Sequence, residues 1–170
     1  VSVGVPSTTA RAALEMVRRA AGLDLTAVPY TGSGQAMTGA LRGDVAAVVD
    51  TLAGALGAIR GNQVRALGVS LGRRSESLPD LATFREQGVA VEVAAWNAFY
   101  APRGTPREII TALNAASNAA LADPTIRSFV VNAGAEPMGG PPAGLAALMR
   151  ADRAQWEPVT RGLSLTAPSH

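Results

Sequence analysis

Three short stretches carry side chains suited to gripping a small acid. Ser7, Thr8 and Thr9 set three hydroxyls side by side. At the start of a helix such hydroxyls, with the free backbone N–H groups behind them, hold a carboxylate or a phosphate through fixed dipoles. Tyr30, Thr31, Gly32 and Ser33 offer a ring, two hydroxyls and a flexible glycine, and Asp50-Thr51 adds an acidic group. Together the three can hold a small acid at two ends, with Asp50 facing a hydroxyl or an amine of the ligand. Ordinary helix capping accounts equally well for Ser7, for Ser33 and for Asp50 or Thr51. Tyr30 after Pro29 reads as well as a half-buried aromatic at a strand end, so the residues alone leave both readings open. Trp96 and Trp156 are expected as core or interface anchors, Arg73-Arg74 as a solvated loop, and Gly139-Gly140-Pro141-Pro142 as a turn, since no lysine follows to make a phosphate cradle.

Composition removes most catalytic chemistry. In 170 residues there is no Cys, and the one His is His170, the last residue. A thiol nucleophile, Cys-ligated zinc, an iron-sulfur cluster and a Ser-His-Asp triad are excluded, and neither a cofactor nor a metal is expected. The sequence pI near 9.9 comes from 15 basic residues, all arginine, against 13 acidic ones. Arg18-Arg19 and Arg73-Arg74 are the only adjacent basic pairs and aromatics make up 4%. With no basic stripe interleaved with stacking rings, nucleic acid is not an expected partner. Glu15, Arg18 and Arg19 interrupt the first twenty residues, so no signal peptide is read there. No run of 18 apolar residues occurs either.

The elements that must position these residues repeat one pattern: a short apolar, β-branched run, a hydroxyl or carboxylate residue, then an amphipathic stretch stopped by glycine. That is a βα unit. Val1–Val3 with Gly4 and Val5 leads to Ser7-Thr8-Thr9 and a helix stopped by Gly22. Leu25–Val28 leads to a helix capped by Ser33 and closed by Gly43, and Ala46–Val49 leads through Asp50-Thr51 to a helix ending at Gly61. Three such units predict a parallel sheet covered by helices. Further strands are expected at Val64–Val69, Val91–Tyr100 and Ala135–Met138, with a short helix around Ala82–Gln87. Thr105-Pro106-Arg107-Glu108 reads as a capping box with proline at the first helical position. Asp123-Pro124 opens the next helix, and Leu145, Leu148, Met149 and Trp156 mark a last one that Pro158 should end or kink.

These segments resemble a known family. Val28-Pro29-Tyr30-Thr31-Gly32-Ser33-Gly34-Gln35-Ala36 is similar to the VPYxGSxxA segment of the Bug-type (TctC-like) periplasmic receptors of tripartite tricarboxylate transporters. Leu41–Val45 followed by Asp50, then Val64–Val69, Ser77–Thr83, Trp96 with Ala101–Pro106, Leu113-Asn114, Leu121–Pro124 and Gly134–Pro137 continue the likeness in order as far as Trp156. The resemblance implies an α/β fold: a periplasmic-binding-protein-like (type II) lobe with a parallel sheet and flanking helices, incomplete at its N-terminus. It divides the chain into residues 1–100 as the second, ligand-binding lobe, residues 101–162 as helices and a strand belonging to the first lobe, and residues 163–170 as a flexible tail.

It also implies a non-enzymatic, periplasmic receptor that captures a small carboxylate and delivers it to a membrane permease. The ligand residues are then Gly4, Ser7, Thr8, Thr9, Arg11, Tyr30, Ser33, Asp50 and Thr51. The family's ligand loop usually reads Gly-x-Gly-Ser and later carries a His, where this chain has Pro6-Ser7 and Arg11; its usual Asp-Asn after the third strand is Asp50-Thr51. Two rivals remain: a shortened receptor that self-associates through uncovered apolar surface, and a small α/β enzyme using Asp50 and Tyr30 as acid and base.

Overall fold

A computed structural model describes residues 1–161; the expected tail at 163–170, with His170, lies outside them. The chain runs β1 (Ser2–Val5), α1 (Thr8–Ala21), β2 (Thr26–Pro29), α2 (Ser33–Arg42), β3 (Ala47–Val48), α3 (Leu52–Arg60), α4 (Arg107–Ala122), α5 (Pro124–Asn132) and α6 (Pro142–Thr160). The three expected βα units are all present. Their strands form one parallel sheet in the order β2-β1-β3, with Val3 paired to Ala27 on one side and Ala47 on the other.

The order dictates the layers. The crossover from β1 to β2 runs one way across the sheet and the crossover from β2 to β3 runs back past β1. For both to be right-handed, their helices must lie on opposite faces. The packing agrees: α1 lies on β1 and β2 with α6 behind it, whereas α2 lies on β1 and β3 beside α3. Val3 and Val5, two apart on β1, point to the α1 face and meet Ala10 and Leu14, with Leu25, Ala27, Ala47 and Val49 around them. Gly4, between them, points to the α2 face. A β-carbon there would lie 3.2 Å from the Tyr30 ring and 3.3 Å from Val48, so the missing side chain is what lets Tyr30 wedge under α2.

Local chemistry explains most of the ends. Ser7 caps α1 by accepting from the Ala10 N–H at 3.1 Å, and Gly22, with φ of 62°, stops it in the left-handed region. Thr51 caps α3, its Oγ1 accepting from Gly54 N–H at 3.3 Å. Asp123 caps α5 by accepting from Thr125 and Ile126, with Pro124 behind it at the first helical position. On α1's outer side Glu15 accepts from Arg18 and Arg19, and the Arg18 guanidinium, helped by Arg19, holds its carboxyl at about 2 against a residual desolvation that works the other way.

Several expectations are corrected. Ser33 does not cap α2: Gly32 occupies the cap position and makes no side-chain bond, leaving Ser33 as the first helical residue. The capping box at Thr105 does not form, because Pro106 takes the cap position and the Thr105 hydroxyl donates back to the Pro102 carbonyl at 2.8 Å. α6 does not end at Pro158 but runs two residues further, to Thr160. Among the described residues there is no strand at 64–69, 91–100 or 135–138, and 82–87 is a turn rather than a helix. The physical reason is shared. A strand needs a neighbour in register, and these runs find only single contacts, such as the bridge between Val69 and Thr83 and the bond from Val93 N–H to the Ser70 carbonyl at 2.7 Å. Val91 and Val93 are still buried on alternate positions, so the alternation seen in the sequence reports burial of one face without a ladder.

Residues 107–161 join the sheet unit at defined places. Gly134, with φ of 81°, brings the end of α5 against the start of α3: a β-carbon there would be 2.9 Å from the Ala53 nitrogen. Arg73 pairs with Glu136 at 2.6 Å, Arg127 with Glu76 at 2.7 Å, and the Ser77 hydroxyl donates to the Val131 carbonyl. Among the described residues no helix is long and apolar enough to cross a membrane.

Candidate functional site

In an open parallel sheet, ligands settle outside the carboxyl ends of the strands, where connections to the two faces diverge. Here that point lies between β1, whose chain leaves for α1 on one face, and β3, whose chain leaves for α3 on the other. The loops at this crevice are Pro6-Ser7 and Val49-Asp50-Thr51. The first and third candidate stretches thus follow the carboxyl ends of adjacent strands, and Ser33 opens α2.

On the β1 side, the Ser7 hydroxyl is engaged in its cap, while Thr8 and Thr9 are exposed at the first positions of α1. The first N–H groups of a helix have no intrahelical acceptor. Thr8 and Thr9 therefore offer two N–H groups and two hydroxyls at the positive end of the helix dipole. Both line a cleft of about 330 Å³ with Trp96, Asp152, Trp156 and Thr160, within the size range of small-molecule sites. The Trp96 indole N–H donates to Asp152 Oδ2 at 3.0 Å, which ties the extended segment at 96 to α6. Arg11 is half-buried one turn into α1, its N–H bonded to the Ser7 carbonyl.

On the β3 side, Asp50 Oδ1 accepts from the Thr51 N–H at 2.7 Å, and Oδ2 is buried with no hydrogen-bond partner among the described residues. Thr51, not Asp50, caps α3. The face of Gly54 lies against both Asp50 Oδ2 and Ser33 Oγ: a β-carbon there would be 2.6 Å from the one and 2.7 Å from the other.

Gly4 and Tyr30 sit elsewhere. Gly4 is buried in β1 and its carbonyl accepts from Val49 N–H. The Tyr30 ring stands over Gly4 and its hydroxyl presses on Gly39, so the ring borders a separate groove of about 320 Å³ along α2 with Gln35, Thr38, Arg42 and Asp44. Six residues of α2, about 9 Å, separate the Tyr30 hydroxyl at Gly39 from the Asp50 carboxylate at the Ser33 end. An acid–base pair of these two is not assembled. Sequence reasoning set Trp96 and Trp156 aside as anchors and passed over Asp152. The signal was the spacing of Asp152 and Trp156, four apart on one face of α6, which turns both toward α1.

A doubly covered parallel sheet with its cleft at the strand ends is the α/β architecture of periplasmic binding proteins. The solved structures that resemble this chain are of that kind. R. palustris Rpa4515 with adipate matches at a TM-score of 0.83 and 32% identity, over 95% of this chain and 55% of that one. MatC from Rhodopseudomonas palustris with bound malate matches at 0.75 and 30% identity, over 92% and 56%. Residues 1–165 match the family described as tripartite tricarboxylate transporter family receptor. The chain belongs to this TctC family, as its motifs led one to expect. Among curated relatives, Protein BugT of Bordetella pertussis is 32% identical over 86% of this chain and 45% of its own length. A protein from the tcbD-tcbE intergenic region of Pseudomonas sp. strain P51 is 34% identical over 81% and 41%. The chain thus spans somewhat less than half the length of these two relatives and a little over half of the solved structures.

Proposed function

We propose that this chain forms one wall of a receptor site for a small organic acid, working in the periplasm with a membrane permease and catalysing no reaction. One observation carries the reading: Thr8 and Thr9, at the exposed first turn of α1, line a cleft sized for a short acid. Capture by fixed dipoles needs no titrating base. The adipate and malate held by two relatives support a carboxylate as the class of ligand.

The test is an NMR titration of the chain with adipate and with malate into the millimolar range. The expected result is a set of shifts confined to the Thr8, Thr9 and Ala10 amides and the Trp96 indole. Replacing Thr8 and Thr9 together by Val should weaken binding about tenfold, the effect of losing hydrogen bonds to a charged partner. Shifts that are absent, or scattered over the surface, would count against the site.

A second reading, a self-associating interaction module, is favoured by the apolar side chains of Ile109, Leu113, Ile126 and Phe129, all exposed on α4 and α5. Light scattering across a concentration series separates the two: a mass that stays at one chain removes self-association and leaves ligand capture untouched.

A further inference from the structure

The cleft between α1 and α6 has two unlike walls. Thr8 and Thr9 make the α1 side, at the positive end of a helix dipole; Trp96, Asp152, Trp156 and Thr160 make the other. On that far wall most donors are already spent. The Trp96 indole N–H goes to Asp152 Oδ2 at 3.0 Å, and the Thr160 hydroxyl donates to the Trp156 carbonyl at 3.0 Å. Among the described residues this leaves the Trp156 indole N–H set against the lone pairs of Asp152 Oδ1 and of Thr160, the electron-rich faces of the indoles and one full negative charge. Tying Trp96 to α6 explains an acceptor at position 152 but not a charge, because an amide or hydroxyl oxygen would hold the indole as well. A half-buried carboxylate costs desolvation unless a cation meets it. Arg150 and Arg153, two and one positions away on α6, do not share its face, and among the described residues lining the cleft Asp152 is the one charged side chain.

Accepting the carboxylate reading above, on which this step rests, we propose that the far wall of the cleft binds a cation, so that the preferred ligand is an acid with an ammonium group at the end remote from its carboxylate. The ammonium donates to Asp152 and Thr160 and lies against the indole rings, whose negative faces attract it. The selection works by cost as well as gain. A second carboxylate in the same place meets the Asp152 charge and the same ring faces, and both repel it. In this the chain parts from the adipate and malate held by the two relatives, which carry a carboxylate at each end.

Glutarate, valerate and δ-aminovalerate share a five-carbon acid skeleton and carry an anion, no charge and a cation at the far end. Titration calorimetry of the three against the chain is the direct test, repeated with the four-carbon and six-carbon sets to cover the depth of the cleft. The amino acid should bind about tenfold more tightly than the plain acid, the effect of one hydrogen bond to a charged group, and the diacid should bind most weakly. Asp152→Asn removes the negative charge but keeps an acceptor for Trp96. It should loosen the amino acid, tighten the diacid and collapse their ratio toward one. Trp156→Leu, which leaves the charge in place, should lower the preference for the ammonium severalfold and provides an independent check if Asp152→Asn unfolds. An amino acid that binds no more tightly than the plain acid or the diacid at every length, or a preference that survives both substitutions, overturns the cation-binding wall and leaves the carboxylate site standing. Binding of none of the acids at any length takes both down together.

Discussion

The first sixty residues and residues 107–161 treat their apolar side chains in opposite ways. In the sheet unit, Val3, Val5, Ala10 and Leu14 close a core between β1 and α1. In α4 and α5 no residue is buried: Leu113 is 57% and Phe129 74% exposed, although both helices carry apolar residues at helical spacing. α6 stands between the two, since it packs on α1 and buries Val159 near its end. Amphipathic spacing therefore marks which face of a helix can be buried, while burial itself requires a partner surface.

The sharpest way to break this comparison is a matched pair of truncations. Leu14→Ala should cost about 2–5 kcal/mol in urea unfolding, as for other buried leucines. Leu113→Ala should change stability by no more than about 0.5 kcal/mol; equal costs would mean that α4 is covered after all. Next in size is the fastening between the regions. Gly134→Ala meets both a positive φ and the backbone of Ala53 at 2.9 Å, and should cost on the order of 1–3 kcal/mol. If the melting temperature does not move, the α5 end is not seated on α3. A smaller pair separates a true cap from an apparent one: Asp123→Ala should cost about 1 kcal/mol, whereas Thr105→Ala, whose hydroxyl only returns to the Pro102 carbonyl, should cost clearly less in the same assay. The smallest effect belongs to α1. Glu15 is depressed from 4.5 to about 2 by Arg18 and Arg19, so its contribution is full above its ordinary value and is lost as the pH falls toward about 2. The pairing is with exposed arginines, so Glu15→Gln should remove less than about 1 kcal/mol at neutral pH. It should also flatten the melting temperature across that acidic window.

Much of the architecture was legible because its signals are local. Ser7, Asp123-Pro124, Gly22 and Gly43 mark helix ends through contacts within one turn, and the structure uses each of them as read. The misreadings fell where a distant partner decides. Val64–Val69 and Val91–Tyr100 have strand composition and find no ladder, and Thr105 had two ways to spend its hydroxyl and took the one behind it. At the site, residue types were legible and their grouping was not. Tyr30 and Ser33, three apart in sequence, serve different places, because the ring is drawn under α2 by the space at Gly4 and Gly39 while Ser33, like Asp50, lies against Gly54.

The sequence by itself determined the βα rhythm, the absence of thiol and histidine chemistry from residues 1–161, and membership of the TctC receptors, since ordered motifs and composition need no coordinates. The tertiary structure alone decided that Thr8 and Thr9 share a cleft with Trp96 and Asp152, and that Asp50 and Ser33 face one glycine. These groupings depend on strand order. With β1 placed between β2 and β3, the connections from β1 and β3 leave adjacent strand ends for opposite faces, and each face gathers side chains that lie far apart in the sequence.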